Sequence, residues 1–376
     1  MRFLIITSLL SLYLVWRVAF PLGKTTAARW ALSTLLVGLI LHYPIIASFW
    51  GSLASPEVPR EILLTLAVGF MSLLLLALVL LVRDMLGVLV WLVCKNPGRA
   101  LLGSRRLLQG LMVICLLLAG YGVWQAVKVP AVKRIEIALP GLPTEFDGYR
   151  ITHLTDLHVS RLLDGARTAQ VVARANDLAA DAIVISGDLV DGSVEARRND
   201  YPALAALSAR DGVFASPGNH EYYSGYQAWM AVFAQIGIQM LPNRHVVLRR
   251  GNAELVIAGV TDPAAHDRRQ PQPDLAAALA GVSPDASIIL LDHRPGNAPH
   301  NRKAGVDLQL SGHTHGGHIC GLHWLVARFN NGFVSGLYQQ DGMQLYVGNG
   351  AGLWPGFAIR LGKPAEITEI TLRASP

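Results

Sequence analysis

The residues of this 376-residue chain that could do chemistry fall in five short blocks between positions 156 and 317. In order they are Asp156-Leu-His158, Gly187-Asp188-Leu-Val-Asp191-Gly192, Gly218-Asn219-His220-Glu221, His293, and Gly312-His313-Thr314-His315-Gly316-Gly317. Carboxylates, imidazoles and an amide oxygen form a hard-to-borderline donor set that suits divalent manganese, iron or zinc. A carboxylate can bridge two cations, and Asp188, on a turn preceded by glycine, is the natural bridge. Glycines flank three of the blocks; they let backbone approach a cluster and adopt conformations closed to other residues.

Positioning these side chains requires strands. Asp156, His158, Asp188, Asn219, His293, His313 and His315 all lie at or just beyond the end of a strand-like run, over 149–158, 182–189, 212–219, 287–293 and 307–315. In open α/β sheets ligands gather at the carboxyl ends of strands, where loops from different strands converge. Further strand-like runs cover 134–139, 254–262, 343–349 and 365–372, and helix-like segments cover 165–179, 202–209, 225–236 and 274–281. The alternation predicts an α/β domain over 129–376, and the late strands with little helix between them predict a mixed sheet or a second sheet. LPGLP (139–143) reads as the joint between this domain and the preceding apolar region.

The blocks, read as D-x-H, GD-x-x-D, GNH[DE], H and GH-x-H across roughly 151–318, resemble the calcineurin-like metallophosphoesterase family. The stretches SGDLVDG, GNHEYYSG and SGHTHGG are similar to its membrane-associated bacterial branch, that of the YkuE- and YaeI-type phosphodiesterases. The resemblance implies a four-layer α-β-β-α sandwich and two divalent cations, with manganese favoured. It assigns one cation to Asp156, His158, Asp188 and His315, and the other to Asp188, Asn219, His293 and His313. Two such ions clamp an in-line displacement and lower the pKa of a bound water. The resemblance also implies that His220 sits over the substrate as the proton-carrying residue and that Asp191 orients it. A metal-bound imidazole has no free lone pair, so a separate histidine must handle the proton.

Neighbouring residues have blander readings. His153 reads as a strand residue beside the site, and His245, His266 and His300 as surface residues. His318 is a loop histidine or a substrate contact, and Asn349 lies at a strand end. Glu221 reads as a support of the GNHE turn, while Tyr222 and Tyr223 either stack on substrate or pack. LWPGFAIRL (353–361) reads as loop and strand packing under the sheet, or as a lip resting on lipid.

Residues 1–128 have a different character. Runs at 1–22, 28–50, 62–82 and 107–127 are apolar over about 20 residues, the length that spans a hydrocarbon core. With 52% hydrophobic and 15% charged residues overall, a wholly soluble or disordered chain is excluded. The sequence thus predicts an α-helical membrane bundle of about four spans. The short run Leu86–Cys94 is either an interfacial helix or part of a fifth span, which would invert the topology. The net charge of +6 belongs to this end: residues 1–130 carry eleven basic and three acidic side chains, and the remainder nets −2. A nucleic-acid partner is therefore excluded, since a phosphate-binding groove needs basic residues on the folded domain. Lys and Arg concentrate in the first and third connections, which places those in the cytoplasm and the C-terminal domain on the periplasmic or exterior side of a bacterial inner membrane. No charged residue marks a transport path at mid-depth, so the spans read as an anchor. Three cysteines exclude a disulfide framework.

These readings converge on a membrane-anchored phosphoesterase acting on phosphomonoester or phosphodiester bonds, with a lipid-linked or envelope substrate attractive because tethering raises local concentration. One alternative is a hydrolase like UDP-2,3-diacylglucosamine pyrophosphatase, whose cytoplasmic nucleotide substrate conflicts with the loop charges. The other is a non-catalytic metal-binding module on a membrane sensor or transporter, against which every block is intact.

Overall fold

A computed structural model describes residues 2–375. The chain divides into two compact units, one of residues up to Trp124 together with Pro355–Ile359, the other of Gln125–Trp354 together with Arg360 onward.

Long apolar runs in the first third dictate helices. Helix α1 (Arg2–Leu14) passes through a π-helical turn, Val15–Ala19, into the short α2 (Phe20–Leu22); α3 (Thr26–Phe49) follows, its first turn capped by the Thr25 hydroxyl, which accepts from the Ala28 amide. Then come α4 (Arg60–Val93), α5 (Lys95–Gly103) and α6 (Arg105–Val127). Among the described residues, four stretches are long and apolar enough to cross a membrane: Ile5–Leu22, Thr26–Phe49, Arg60–Val93 and Arg105–Val127. The run Leu86–Cys94 is not a separate element, because α4 continues unbroken through Asp84 to Val93. Its 34 residues extend about 51 Å, well beyond a hydrocarbon core of about 30 Å. Asp84 is tolerated in that helix because Arg17, on the π turn, and Arg83 each reach it at 2.7 Å, and the Tyr13 hydroxyl donates to it at 2.9 Å. The cluster lies beyond the charge-free stretch Leu63–Val82.

The second unit contains two six-stranded sheets. One has the order β1 (Ala131–Pro140), β12 (Glu366–Ser375), β2 (Arg150–Leu154), β3 (Ala182–Ser186), β4 (Val213–Ser216), β5 (Gln239–Met240). The other has the order β10 (Gly336–Gln340), β11 (Met343–Val347), β9 (Leu308–Ser311), β8 (Ser287–Leu291), β7 (Ala253–Gly259), β6 (Arg244–Arg250). Strands β2 to β5 are parallel, as are β7, β8, β9 and β11. Side-chain alternation along each strand explains the layering. In β3, Ala182 and Val184 face the inter-sheet core with Leu255, Ile257, Ile289, Leu291 and Leu310 of the other sheet. Ile183 and Ile185 face the opposite way, against Val171 and Val172 of α7 (Gly165–Asn176) and Trp229 and Phe233 of α9 (Tyr226–Gln235). Val256 and Ala258 of β7 likewise turn outward, toward Ala278 and Ala298. Both faces of both sheets are covered, strands such as β3 (AIVIS) and β8 (SIILL) are almost continuously apolar, and the arrangement is the four-layer α-β-β-α sandwich.

Candidate active site

Every candidate ligand follows the carboxyl end of a parallel strand. Asp156 and His158 lie beyond β2, Asp188 beyond β3, and Asn219 beyond β4, at the start of α8 (Asn219–Ser224). From the other sheet, His293 lies beyond β8, and His313 and His315 beyond β9. The structure brings them together in two groups. Potential donor atoms of Asp156, His158 and His315 lie within 4.8 Å of one another, as do those of Asp188, His293 and His313. A single oxygen, Asp188 Oδ2, is 3.6 Å from His158 Nε2 in the first group and 3.1 Å from His293 Nε2 in the second. Both groups therefore meet at one carboxylate.

The donor set fits divalent cations on its own geometry. His158 Nε2, His293 Nε2 and Asn219 Oδ1 are buried and have no hydrogen-bond partner among the described residues. Leaving polar atoms unpaired in the interior costs about 1–3 kcal/mol each, so these atoms await a charge. The opposite ring nitrogens are occupied: His293 Nδ1 bonds the Ser186 carbonyl at 2.8 Å, and His158 Nδ1 bonds Asp191 Oδ2 at 3.0 Å. Such bonds fix a tautomer that presents the free nitrogen inward. Charge balance is held internally. Burial disfavours a charged His293, but the Asp188 carboxylate pulls it up to about 10, and His293 and His220 hold Asp188 well below the usual carboxylate range despite its burial. Burial pushes His313 down to about 4.

The loops holding these ligands are strained. Asp156, His158, Asp188, His313 and His315 all have positive φ, between 46° and 69°, a conformation costing on the order of 1–3 kcal/mol per non-glycine residue. Hydrogen bonds secure it. Glu221 is fully buried and its carboxylate accepts from the amides of Gly218 (2.7 Å), Asp188 (3.1 Å) and Leu189 (2.7 Å). It is thus a brace for the Asp188 turn. The Asp156 carboxylate accepts from the Thr155 hydroxyl and the His313 amide, tying β2 to β9. Two glycines leave room: a Cβ on Gly218 would lie 2.2 Å from Asp188 Oδ1, and one on Gly312 would lie 2.2 Å from Asp156 Oδ2.

His220 packs against the first ligand group, its ring 4.6 Å from that of His158, and its donor atoms cluster with those of His158 and Asp191. Its Nδ1 bonds Asp191 Oδ1 at 2.5 Å, leaving Nε2 as the outward-facing nitrogen. Asp191 also holds His158 through its other oxygen, so one carboxylate orients two imidazoles, a double duty that spacing alone did not reveal. Sequence reasoning also missed Arg360, inside the apolar run 353–361. It is fully buried and donates to the carbonyls of His315, Asn349, Gly350 and Gly352, with no carboxylate within hydrogen-bond distance among the described residues. Burial lowers it to about 10. The only sequence signal was an arginine in an apolar stretch.

The neighbours separate cleanly. His153 is buried in β2, bonded to Ser186 Oγ at 2.8 Å. The His318 ring lies 4.9 Å from that of His315, and Asn349 donates to Glu366 and the Pro364 carbonyl. His266 and His300 are exposed, but His245 is half-buried and bonds the Ala278 carbonyl at 2.7 Å, correcting its reading as a surface residue.

Comparison with known proteins agrees with this geometry. The family model for calcineurin-like phosphoesterases matches residues 149–317. An uncharacterized metallophosphoesterase of Campylobacter jejuni is 33% identical over 265 residues, covering 70% of this chain and 68% of that protein. The chain belongs to the calcineurin-like metallophosphoesterases. A zebrafish transmembrane protein with metallophosphoesterase domain is 33% identical over 280 residues, 72% of this metallophosphoesterase, which spans 64% of the zebrafish protein's length. YkuE, an uncharacterized metallophosphoesterase of Bacillus subtilis, is 29% identical over 266 residues, covering 68% of this chain and 91% of its own.

Proposed function

We infer that this metallophosphoesterase is a membrane-anchored hydrolase of phosphomono- or phosphodiester bonds, with residues 1–128 as the anchor and 129–376 as the catalytic domain. The observation that carries this reading is the pair of ligand groups meeting at Asp188 Oδ2, with the inward atoms of His158, His293 and Asn219 otherwise unpartnered among the described residues. Asp156, His158, Asp188 and His315 would hold one cation, and Asp188, Asn219, His293 and His313 the second; the oxygen donors suit manganese, which the family resemblance favours, and the four imidazoles suit iron or zinc. When bound, the two ions supply charge neutralisation on the phosphoryl oxygens and lower the pKa of water.

The chain's own residues do the rest. Asp191 fixes the His220 ring through Nδ1, so that Nε2 faces the substrate and hands a proton to the leaving oxygen. Asp191 simultaneously keeps His158 in its ligating tautomer. Glu221 and Arg360 hold the loops that carry Asp188 and His315 in their strained conformations. The four membrane-length helices and the basic first and third connections support a domain on the exterior face of a bacterial inner membrane. A substrate in or at the bilayer suits that anchoring.

The test is hydrolysis of bis-p-nitrophenyl phosphate and p-nitrophenyl phosphate by the detergent-solubilised full chain, stripped of metal and then reloaded with Mn²⁺, Fe²⁺ or Zn²⁺. The reading expects metal-dependent turnover that Asp188→Asn abolishes. A folded protein that binds two ions and hydrolyses neither ester with any metal would refute it.

A further inference from the structure

The surroundings of His220 identify more than a proton donor. In the α8 turn, Tyr223 follows His220 by three residues and therefore shares its face, whereas Tyr222 does not. Tyr222 is 3% exposed and stacks flat on Tyr226, with ring centroids 4.4 Å apart and planes 6° apart. Tyr223 is 45% exposed, and its ring meets the His220 ring edge-on at 5.3 Å. On another side of the same imidazole lies Trp354, 6.4 Å away and tilted by 58°. The exposed Arg268 places its guanidinium 5.9 Å from the Tyr223 ring centroid. Arg294 sits next in sequence to His293, clamped through two hydrogen bonds to Asp262. Two aromatic rings, Tyr223 and Trp354, thus neighbour the His220 imidazole.

We propose that Tyr223 and Trp354 form the leaving-group subsite, and that this subsite takes an alcohol portion with a flat, π-faced ring. The proposal rests on His220 as the proton donor. A packing role explains Tyr222, whose ring is covered, but not Tyr223, which remains open beside the reacting edge. Aromatic rings prefer edge-to-face or offset contact with a second ring, and the positions of Tyr223 and Trp354 around His220 offer both. The guanidinium of Arg268 lies within cation–π reach of the Tyr223 ring.

The test uses the full chain in detergent, loaded with Mn²⁺, and ester pairs whose alcohols are of nearly equal acidity: benzyl against methyl phosphate, and benzyl methyl against dimethyl phosphate. The wild-type protein should prefer the benzyl ester. That preference, as a ratio of kcat/KM, should fall about fivefold in Tyr223→Ala and in Trp354→Ala and be retained in Tyr223→Phe, as expected for loss of one aromatic contact. Binding without turnover is read in parallel by calorimetry with benzylphosphonate and methylphosphonate. The benzyl compound should bind more tightly, with the same loss in Tyr223→Ala. Equal benzyl-to-methyl ratios in wild type and Tyr223→Ala, in turnover or in binding, overturn the subsite. Benzyl preference in binding with no hydrolysis of any ester leaves the subsite standing and refutes the phosphoesterase reading instead.

Discussion

Gly218→Ala isolates the packing around the shared carboxylate. Gly218 has an ordinary φ of −99°, so alanine there carries no backbone penalty, and the effect is purely steric. The added methyl would lie 2.2 Å from Asp188 Oδ1, 2.6 Å from the Asp188 amide nitrogen and 2.9 Å from its Cγ, where real contacts stay beyond 3.0 Å. The carboxylate must therefore retreat by about 0.8 Å, and it cannot rotate away freely because Oδ1 accepts from the His220 amide at 2.8 Å. Its Oδ2 serves both ligand groups, so both lose geometry together. A shift approaching 1 Å in a reacting constellation costs roughly a hundredfold in rate, and disturbed ligands cost about 10–100-fold in metal affinity. Calorimetric titration with Mn²⁺ should show both sites weakened, beside a comparable loss of kcat/KM. Gly296→Ala, whose new methyl would meet nothing closer than 3.9 Å and which has no positive φ, is the control for handling. If Gly218→Ala bound two ions with wild-type affinity and turned over normally, Asp188 would not be the shared ligand.

Other consequences are as direct. His220→Ala should lower turnover of alkyl phosphate esters by about a hundredfold but spare p-nitrophenyl esters, whose leaving group needs no proton; equal losses on both would remove His220 as the acid. Arg360→Met takes the side-chain donor from the Asn349 and Gly352 carbonyls, while those of His315 and Gly350 keep the amides of His318 and Glu366, and should destabilise the protein by about 2 kcal/mol or more, read by thermal unfolding, with Mn²⁺ affinity falling through the His315 loop; Arg360→Lys should restore only part. Burial holds His153 down at about 4 from 6.5. The folded state resists its protonation, so stability is full above pH 6.5 and falls by on the order of 3 kcal/mol as pH drops to about 4; His153→Gln should flatten that slope in pH-dependent denaturant melts. Cys320 is exposed in the second unit; in a Cys94→Ser background a membrane-impermeant maleimide should label it in intact cells, and labelling only after lysis would invert the topology.

The sequence made the site unusually legible because chemistry and topology coincide: each block follows an apolar run, and a parallel strand ends where its side chains turn toward ligands. The strands it hid are those without that signature. β5 has only two residues, β6 (RHVVLRR) carries three arginines and half-buried positions, and β10 (GLYQQ) is a polar edge. The strain at Asp156, His158, Asp188, His313 and His315 is invisible in residue type, since none is glycine. Arg360 was hidden because its partners are carbonyls, which every residue has. In the helical region, apolar length predicted four spans, but only packing showed that Leu86–Cys94 continues α4, because Asp84 is neutralised by Arg17 and Arg83 from across and beside it.

The chain has no disulfide among its described residues, yet its ligand groups are built to act as one. Each group draws on both sheets: Asp156 and His158 with His315, and Asp188 with His293 and His313. A cation in either group is therefore a cross-link between segments more than a hundred positions apart, adding to the apolar contacts and the few hydrogen bonds that already join the two sheets. Chain entropy favours such a staple most when the loop it closes is long. Loading the site and locking the sandwich are then a single event, so protease resistance of the second unit should report metal occupancy even where no substrate is known.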